Sequence, residues 1–234
     1  MVMDLGRVVI IYPLMLAVIK WINNEIIIAA GIFYFWIYIY VKSHFCRTYR
    51  KEKARYLNRN IGYDFFPAFL LVAINLCCFE QRNIGLVSAF YQAALLTGGA
   101  IWEEILCRNL VFTALLKRTS VHKALWIESI FFGSLHFFNA GMHMDYVYTV
   151  VQICVAIGVG LWLSVVAIKN GNIFWSIVSH VCINLSSVFL ENDSLYEINT
   201  FQSAVLLLSA IFYVVISWRY IVNKGNMRNG EYES

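Results

Sequence analysis

The residues Ile101-Trp102-Glu103-Glu104-Ile105-Leu106-Cys107-Arg108 place two adjacent carboxylates and a guanidinium inside an apolar run, 84–116, that has the composition of a membrane helix. At the centre of a bilayer each such charge costs about 2.5–3.5 kcal/mol on insertion scales, so charges there usually have a function. Glu104 and Arg108 are four residues apart and share a helix face, where they can pair. Glu103 is rotated by about 100° from Glu104, so we expect its charge to be unclaimed, as a general base requires. The alternative is a purely structural ion pair that joins two helices.

The composition is that of a polytopic membrane protein. Of the 234 residues, 60% are apolar and only 14% are charged, and the mean hydropathy is positive. Apolar and polar residues do not alternate as they do in the strands of a β-barrel. We therefore predict an all-α integral membrane protein in which residues 1–234 form one membrane domain. The net charge of +4 does not indicate nucleic-acid binding, because the basic residues fall between the apolar runs.

Eight apolar runs approach the length of about 20 residues that crosses the hydrocarbon core. They are 5–21, 25–42, 63–79, 84–116, 122–139, 146–168, 172–189 and 201–221. The fourth run is too long for a simple crossing, so we expect it to be steeply tilted or broken near Gly98-Gly99. The first run lacks a cleavage site of the signal-peptide type and is interpreted as a span.

The distribution of lysine and arginine predicts the orientation. Nearly all of them lie on one side if the N-terminus is cytoplasmic, whereas the opposite loops carry acidic residues such as Glu191 and Asp193. Both termini are therefore predicted to be cytoplasmic, in a multi-pass protein of the cell membrane. Segment 43–62 mixes basic and aromatic residues and is predicted to lie on the cytoplasmic leaflet. The lipid bilayer is thus an expected partner and nucleic acid is not; the oligomeric state is not predicted.

The six cysteines have no metal-like spacing, and five of them lie inside apolar runs. We interpret them as reduced, small, buried hydrophobic residues. Cys107 is a disfavoured nucleophile, because its apolar neighbours oppose formation of a thiolate. In the sixth run the small residues Ala156, Gly158, Gly160 and Ser164 predict close packing of helices.

Two further runs carry polar residues at helical spacing. Phe132 and His136 share a face of the fifth run, and His180 and Asn184 share a face of the seventh. At a rise of 1.5 Å per residue, Glu103, His136 and His180 lie about 15–21 Å of helix from the inner ends of their runs. Polar groups at one depth can satisfy one another. They form either a buried hydrogen-bond network or an active site that contains water.

These three motifs, Glu-Glu-x-x-x-Arg, Phe-x-x-x-His and His-x-x-x-Asn, resemble in order and spacing those of the CPBP family. This family comprises the CAAX-protease and bacteriocin-processing (abortive-infection) intramembrane proteases. The resemblance covers about 95–190. The chain departs from it at Cys107 and Asn109, where many members have Phe and then Gly or Tyr, but the matched Arg108 is present.

The resemblance implies an intramembrane endopeptidase, similar to the type II CAAX prenyl proteases. Its substrate would be a membrane-associated peptide or a lipidated protein; whether that substrate is prenylated stays open. Carried over by position, Glu103 and His136 would activate the attacking water, while Glu104 and Arg108 would brace the site.

By the same resemblance, His180 and Asn184 would stabilise the oxyanion or help to position the water. Glu103, His136 and His180 could also hold a divalent metal such as zinc. The His-Glu-x-x-His signature of helical zinc sites is absent, however, and a metal-free glutamate mechanism fits the same residues. We favour the metal-free mechanism and leave both open.

Other functions give different expectations. Ser134 precedes His136 by two residues on one helix, which is the wrong direction for a Ser–His pair. A non-catalytic scaffold or regulator, or a bacteriocin-immunity protein of the same fold, would bury the same residues without hydrolysis. A proton-coupled or ion transporter also buries Glu, Arg and His, but it usually has inverted repeats or unwound helices, and the sequence indicates neither.

Overall fold

The computed structural model describes residues 66–137, 146–190 and 198–230, with side chains as far as Tyr220, and within these ranges the chain is all-α as predicted. The helices in chain order are α1 (Ala68–Cys78), α2 (Leu86–Glu104), a π-helix (Ile105–Phe112), α3 (Thr113–Leu116), α4 (Val121–Leu135), α5 (Tyr146–Asn170), α6 (Phe174–Ser186), a 3-10 helix (Ser187–Phe189) and α7 (Thr200–Gly230). The first two predicted spans and the predicted interfacial segment 43–62 lie outside the described residues.

Two of the described helices are long and apolar enough to cross a membrane, namely Tyr146–Asn170 and Thr200–Tyr220. The first is 78% buried within the protein over its most apolar window and the second 33%. The α7 helix therefore leaves a broad apolar face uncovered, which includes Leu208, Ile211 and Trp218. Large exposed apolar surfaces of this kind are typical of contact with lipid or with a protein partner. The count of eight spans stays a prediction.

The fourth apolar run does not break at its glycine pair. The α2 helix continues from Leu86 to Glu104 through Gly98 and Gly99, and the irregular part is the π-helix that follows. The expected break was wrong, because a glycine weakens a helix by only about 1 kcal/mol and a packed helix tolerates this loss. The alternative, a steep tilt of the run, stays a prediction. Short π-helical turns occur frequently at functional sites, and this one carries Arg108.

The α5 helix is the central element, and its glycines set the distances to its neighbours. A Cβ atom at Gly158 would lie 2.7 Å from the carbonyl oxygen of Ala210 in α7, and one at Gly160 would lie 3.0 Å from the ring of Phe132 in α4. The predicted close packing at small residues is therefore confirmed on two sides of the helix.

A tight turn connects α5 to α6. Gly171 has a φ of 62°, a left-handed conformation that glycine adopts easily at the end of a helix. Asn172 then accepts a 3.0 Å hydrogen bond from the backbone N–H of Phe174 through its side-chain oxygen, which satisfies a free donor at the start of α6. This turn folds α6 back toward α2 and α5, so that His180 reaches the charged motif.

The prediction of buried cysteines is only partly right. All five cysteines in the described ranges are free, as expected, and Cys107 is buried. Cys77, however, is exposed beside Leu76 on the outer face of α1. A thiol behaves as a small hydrophobic group, so an apolar outer face tolerates it as well as a core does. Cys46 lies outside the described residues.

Candidate active site

Glu104, the last residue of α2, is the centre of a buried polar cluster and is fully inaccessible to solvent. One of its oxygens lies 3.0 Å from Nη1 of Arg108 and 2.9 Å from Nδ1 of His180. Its other oxygen accepts a hydrogen bond from the hydroxyl of Ser176. The predicted pair between Glu104 and Arg108 is confirmed, and it extends to α6 through two further residues.

His180 lies between the two adjacent glutamates. Its Nε2 atom is 3.6 Å from a carboxylate oxygen of Glu103, on the opposite side of the ring from Glu104. The expectation that the charge of Glu103 is unclaimed is therefore wrong. The turn of about 100° between neighbouring helix positions separates the two carboxylates, but α6 packs closely enough for one imidazole to contact both.

Arg108 is fully buried, and four groups surround its guanidinium. Besides Glu104, it contacts an oxygen of Glu128 at 3.6 Å, donates a 3.2 Å hydrogen bond to the carbonyl of Gly160, and stacks 4.2 Å from the ring centre of Phe132. Nη1 and Nε are at ion-pair distance from the carboxylates but are not aligned for hydrogen bonds. A buried cation needs such compensation, because removing it from water costs several kcal/mol.

Phe132 joins the charged cluster to both imidazoles. Its ring meets His136 edge-on at 5.4 Å and His180 at 5.6 Å between ring centres. His136 is the residue that caps the C-terminus of α4 after Leu135, and the last two residues of the predicted span 122–139 lie outside the described residues. The predicted shared face of Phe132 and His136 is confirmed.

A pocket of about 360 Å³ opens beside the two imidazoles. His136, His180 and Asn184 line it, together with residues of α1, α2, α5, the 3-10 helix and α7. Glu103, Glu104 and Arg108 do not line it. The structure thus brings all six predicted site residues into one region, with the three polar residues of the second and third motifs at the pocket and the charged motif packed against His180.

Comparison with protein-family models matches residues 85–186 to the family described as type II CAAX prenyl endopeptidase Rce1-like. Residues 85–186, here named the Rce1-like domain, are similar to this family. The predicted resemblance to the CPBP proteases is therefore confirmed for this part of the chain, which contains all six predicted site residues. Neither the curated proteins nor the solved structures gave a match to the chain.

The family that the Rce1-like domain resembles is a family of membrane proteases. Together with the two helices of membrane-crossing length, it indicates an integral membrane protein. The α1 and α7 helices lie outside the matched residues, although both contribute to the pocket.

The suggested metal ligands of the Rce1-like domain are Glu103, His136 and His180. In the described ranges, no group of three His, Cys, Asp or Glu side chains is arranged to hold a metal ion. Nδ1 of His180 is engaged by Glu104 and Nδ1 of His136 faces the carbonyl of Phe132 at 3.3 Å, contacts that metal-binding histidines also make. Because the three side chains are not gathered around one point, no step of the proposed reaction is routed through a metal.

Two further side chains of the Rce1-like domain, Ser134 and Cys107, are not placed as nucleophiles in this structure. Ser134 donates a 2.7 Å hydrogen bond to the carbonyl of Phe131 rather than to His136, which agrees with the argument against a Ser–His pair. Cys107 is buried within an apolar cluster that includes Leu106 and Phe132, a position where a thiolate is disfavoured.

Three residues that contact the cluster were not predicted from the sequence. Glu128 is fully buried and accepts a 2.5 Å hydrogen bond from Ser164, and Ser176 donates to Glu104. The contact of Glu128 with the site could have been predicted, because Glu128 precedes Phe132 by four residues and His136 by eight and so shares their helix face. The contacts of the two serines with carboxylates could not, since serine is common in helices that pack closely.

Proposed function

We propose that this protein is an intramembrane endopeptidase that hydrolyses a peptide bond in a membrane-associated peptide or lipidated protein. The observation that carries the proposal is the position of His180, which contacts both glutamates of the first motif and lines, with His136 and Asn184, a single pocket. Residues from three separate helices thus meet where a peptide carbonyl would be held.

In the proposed reaction Glu103 and His136 together activate one water molecule. The water gives up a proton to this pair as its oxygen attacks the carbonyl carbon of the scissile bond. General base catalysis of this kind contributes about 10²–10⁴-fold. The carbonyl oxygen becomes an oxyanion and accepts a hydrogen bond from Asn184, while Nε2 of His180 accepts one from the attacking water and positions it. The C–N bond then breaks, and the proton passes to the leaving amine.

Glu104 and Arg108 act in this scheme by holding His180. A carboxylate 2.9 Å from Nδ1 fixes the ring orientation and the tautomer of the imidazole, and Arg108 neutralises that carboxylate. A donor aimed at a developing oxyanion, here Asn184, contributes about 2.7–4 kcal/mol in other enzymes, and the water is placed correctly only if the ring of His180 does not reorient.

The proposed setting is a multi-pass protein of the cell membrane with cytoplasmic termini, which cuts its substrate near the cytoplasmic leaflet. The family description supports a CAAX-type tail as one substrate class. A bacteriocin or signalling peptide is the other class that the sequence motifs suggest.

The test compares the peptides of membranes that contain wild-type protein with those that contain Glu103→Gln or His136→Ala. Both variants are expected to lose at least about 100-fold in cleavage, from the loss of general base catalysis, while remaining in the membrane. Mass spectrometry of new N- and C-termini identifies the cut sites and the substrate.

Matched controls are Glu80→Gln and His122→Ala, which change the same residue types at exposed positions and are expected to cleave normally. If the site variants retain wild-type cleavage, or if no terminus depends on Glu103, the protein is a non-catalytic scaffold, regulator or immunity protein of the same fold.

A further inference from the structure

Most residues that line the pocket beside the imidazoles lie outside the three catalytic motifs. Its volume of about 360 Å³ lies in the range of about 300–1,000 Å³ that is usual for ligand sites. Aliphatic side chains such as Leu71 of α1, Val155 of α5, Ile183 of α6 and Leu206 of α7 form much of the surface. An apolar occupant therefore gains free energy on entry in proportion to the area that it buries.

The charges around the pocket decide against an anionic occupant. No Lys, Arg, Asp or Glu is among the described residues that line it. Of the charged groups that contact its imidazoles or Phe132, Glu103 and Glu104 are anionic and Arg108 is already paired with Glu104 and Glu128. A carboxylate inside would be desolvated without a cationic partner and repelled by the neighbouring glutamates, which is costly.

Asn75 of α1 supplies a directed polar group in this apolar wall. Ser186 donates its hydroxyl proton to the carbonyl of Ile183 at 2.6 Å, so its oxygen is left as an acceptor. The side-chain amide of Asn75 therefore presents Nδ2 to Ser186, at 2.8 Å. Its Oδ1 then remains an acceptor without a hydrogen bond among the described residues, and such a group favours a ligand that carries an N–H donor.

We propose that this pocket binds an uncharged, apolar segment of the substrate next to the bond that is cut, and that Oδ1 of Asn75 accepts a hydrogen bond from a backbone N–H of that segment. This proposal rests on the proposed function and adds the substrate specificity of the proposed endopeptidase. It places a specificity-determining residue on α1, outside the residues that match the protease family.

The experiment uses the full-length Glu103→Gln protein in lipid nanodiscs, so that binding is measured without cleavage. The probes are acetylated and amidated alanine–leucine peptides with a photoreactive benzoylphenylalanine and a central Leu, Lys or Glu. Cross-linking to pocket residues such as Ile183 is expected for Leu, with at least tenfold weaker capture for Glu and an intermediate value for Lys. Equal capture of the three peptides, or no cross-link to the pocket, would overturn the proposal.

Two matched variants separate the pocket from the outer apolar surface. Val155→Phe fills the pocket and is expected to reduce capture at least fivefold, whereas Val150→Phe makes the same change at an exposed position of α5 and should leave capture unchanged. Equal effects of the two variants would mean that the peptide binds elsewhere.

The hydrogen bond of Asn75 is tested by pairing Asn75→Leu with peptides that are N-methylated at single positions. At one position of the peptide, N-methylation is expected to weaken its capture about fivefold by the protein that keeps Asn75 and to have no effect on capture by the Asn75→Leu protein. If the losses from N-methylation and from Asn75→Leu add at every position, the assignment of this hydrogen bond is overturned. Pocket cross-linking without Glu103-dependent cleavage in any membrane would contradict the proposed function and support this specificity. Glu103-dependent cleavage without pocket cross-linking would support the proposed function and contradict this specificity.

Discussion

The two sides of Phe132 differ in charge and in burial. On one side Arg108, Glu104 and Glu128 are fully buried and compensate one another, with serine hydroxyls on the remaining carboxylate oxygens. On the other side the pocket is mostly apolar and leaves Oδ1 of Asn75 without a hydrogen bond among the described residues. In the proposed scheme the charged side supports the structure, while the pocket receives the substrate.

This comparison implies that the two sides respond differently to substitution. On the charged side a change strands a buried charge, so both folding and catalysis are expected to suffer. In the pocket a change alters an open surface, so it should affect substrate binding more than stability.

The largest effect on stability is expected from Arg108→Met. This variant leaves two buried carboxylates without a counter-charge, which costs about 3–5 kcal/mol when one partner of a buried pair is removed. Thermal unfolding of the detergent-solubilised protein measures the loss. Arg118→Met changes an exposed arginine and should lie within about 0.5 kcal/mol of wild type; equal losses for the two variants would contradict the buried network.

A smaller loss is expected from Glu128→Gln. The amide keeps the volume of the side chain and a hydrogen-bond partner for Ser164, but it removes one of the two charges beside Arg108, at a cost of about 1–3 kcal/mol. Combined with Arg108→Met it should cost less than the sum of the two single losses, because contacting residues are not additive. Additive unfolding free energies would show that Glu128 does not pair with Arg108.

The smallest effects are expected from two matched glycine substitutions. Gly160→Ala places a Cβ atom 3.0 Å from the ring of Phe132, so the ring must shift, at a cost of about 1–3 kcal/mol. Gly99→Ala has no atom within 4 Å of the new Cβ and should raise stability by up to about 1 kcal/mol. Unfolding of the two variants in the same detergent tests the close approach of α4 and α5; a stabilising Gly160→Ala would contradict it.

Spacing along single helices predicted much of the site. The Glu104–Arg108 pair, the contact of Phe132 with His136, and the shared location of His180 and Asn184 at the pocket all follow from positions four residues apart on a helix. The small residues of α5 also predicted correctly where helices approach one another.

Contacts between distant parts of the chain could not be predicted in this way. Ser164 lies 36 residues from Glu128, and Ser186 lies 111 residues from Asn75; no helical periodicity links such pairs. The partner of Glu103 was mispredicted for the same reason, because the path of α6 past both glutamates depends on the turn at Gly171. The residues of α1 and α7 that line the pocket belong to no sequence motif, so their position there could not be predicted.

The most direct test of the central claim is a double-mutant cycle on the cleavage rate with His136→Ala and His180→Ala, using the substrate found in the Glu103→Gln comparison. Residues that act together in one reaction are strongly non-additive. We predict that each single variant loses at least about 100-fold, and that the double variant loses no more than about tenfold beyond the worse single one. Losses that multiply, or single variants with wild-type rates, would contradict the convergence of these imidazoles on one hydrolytic site.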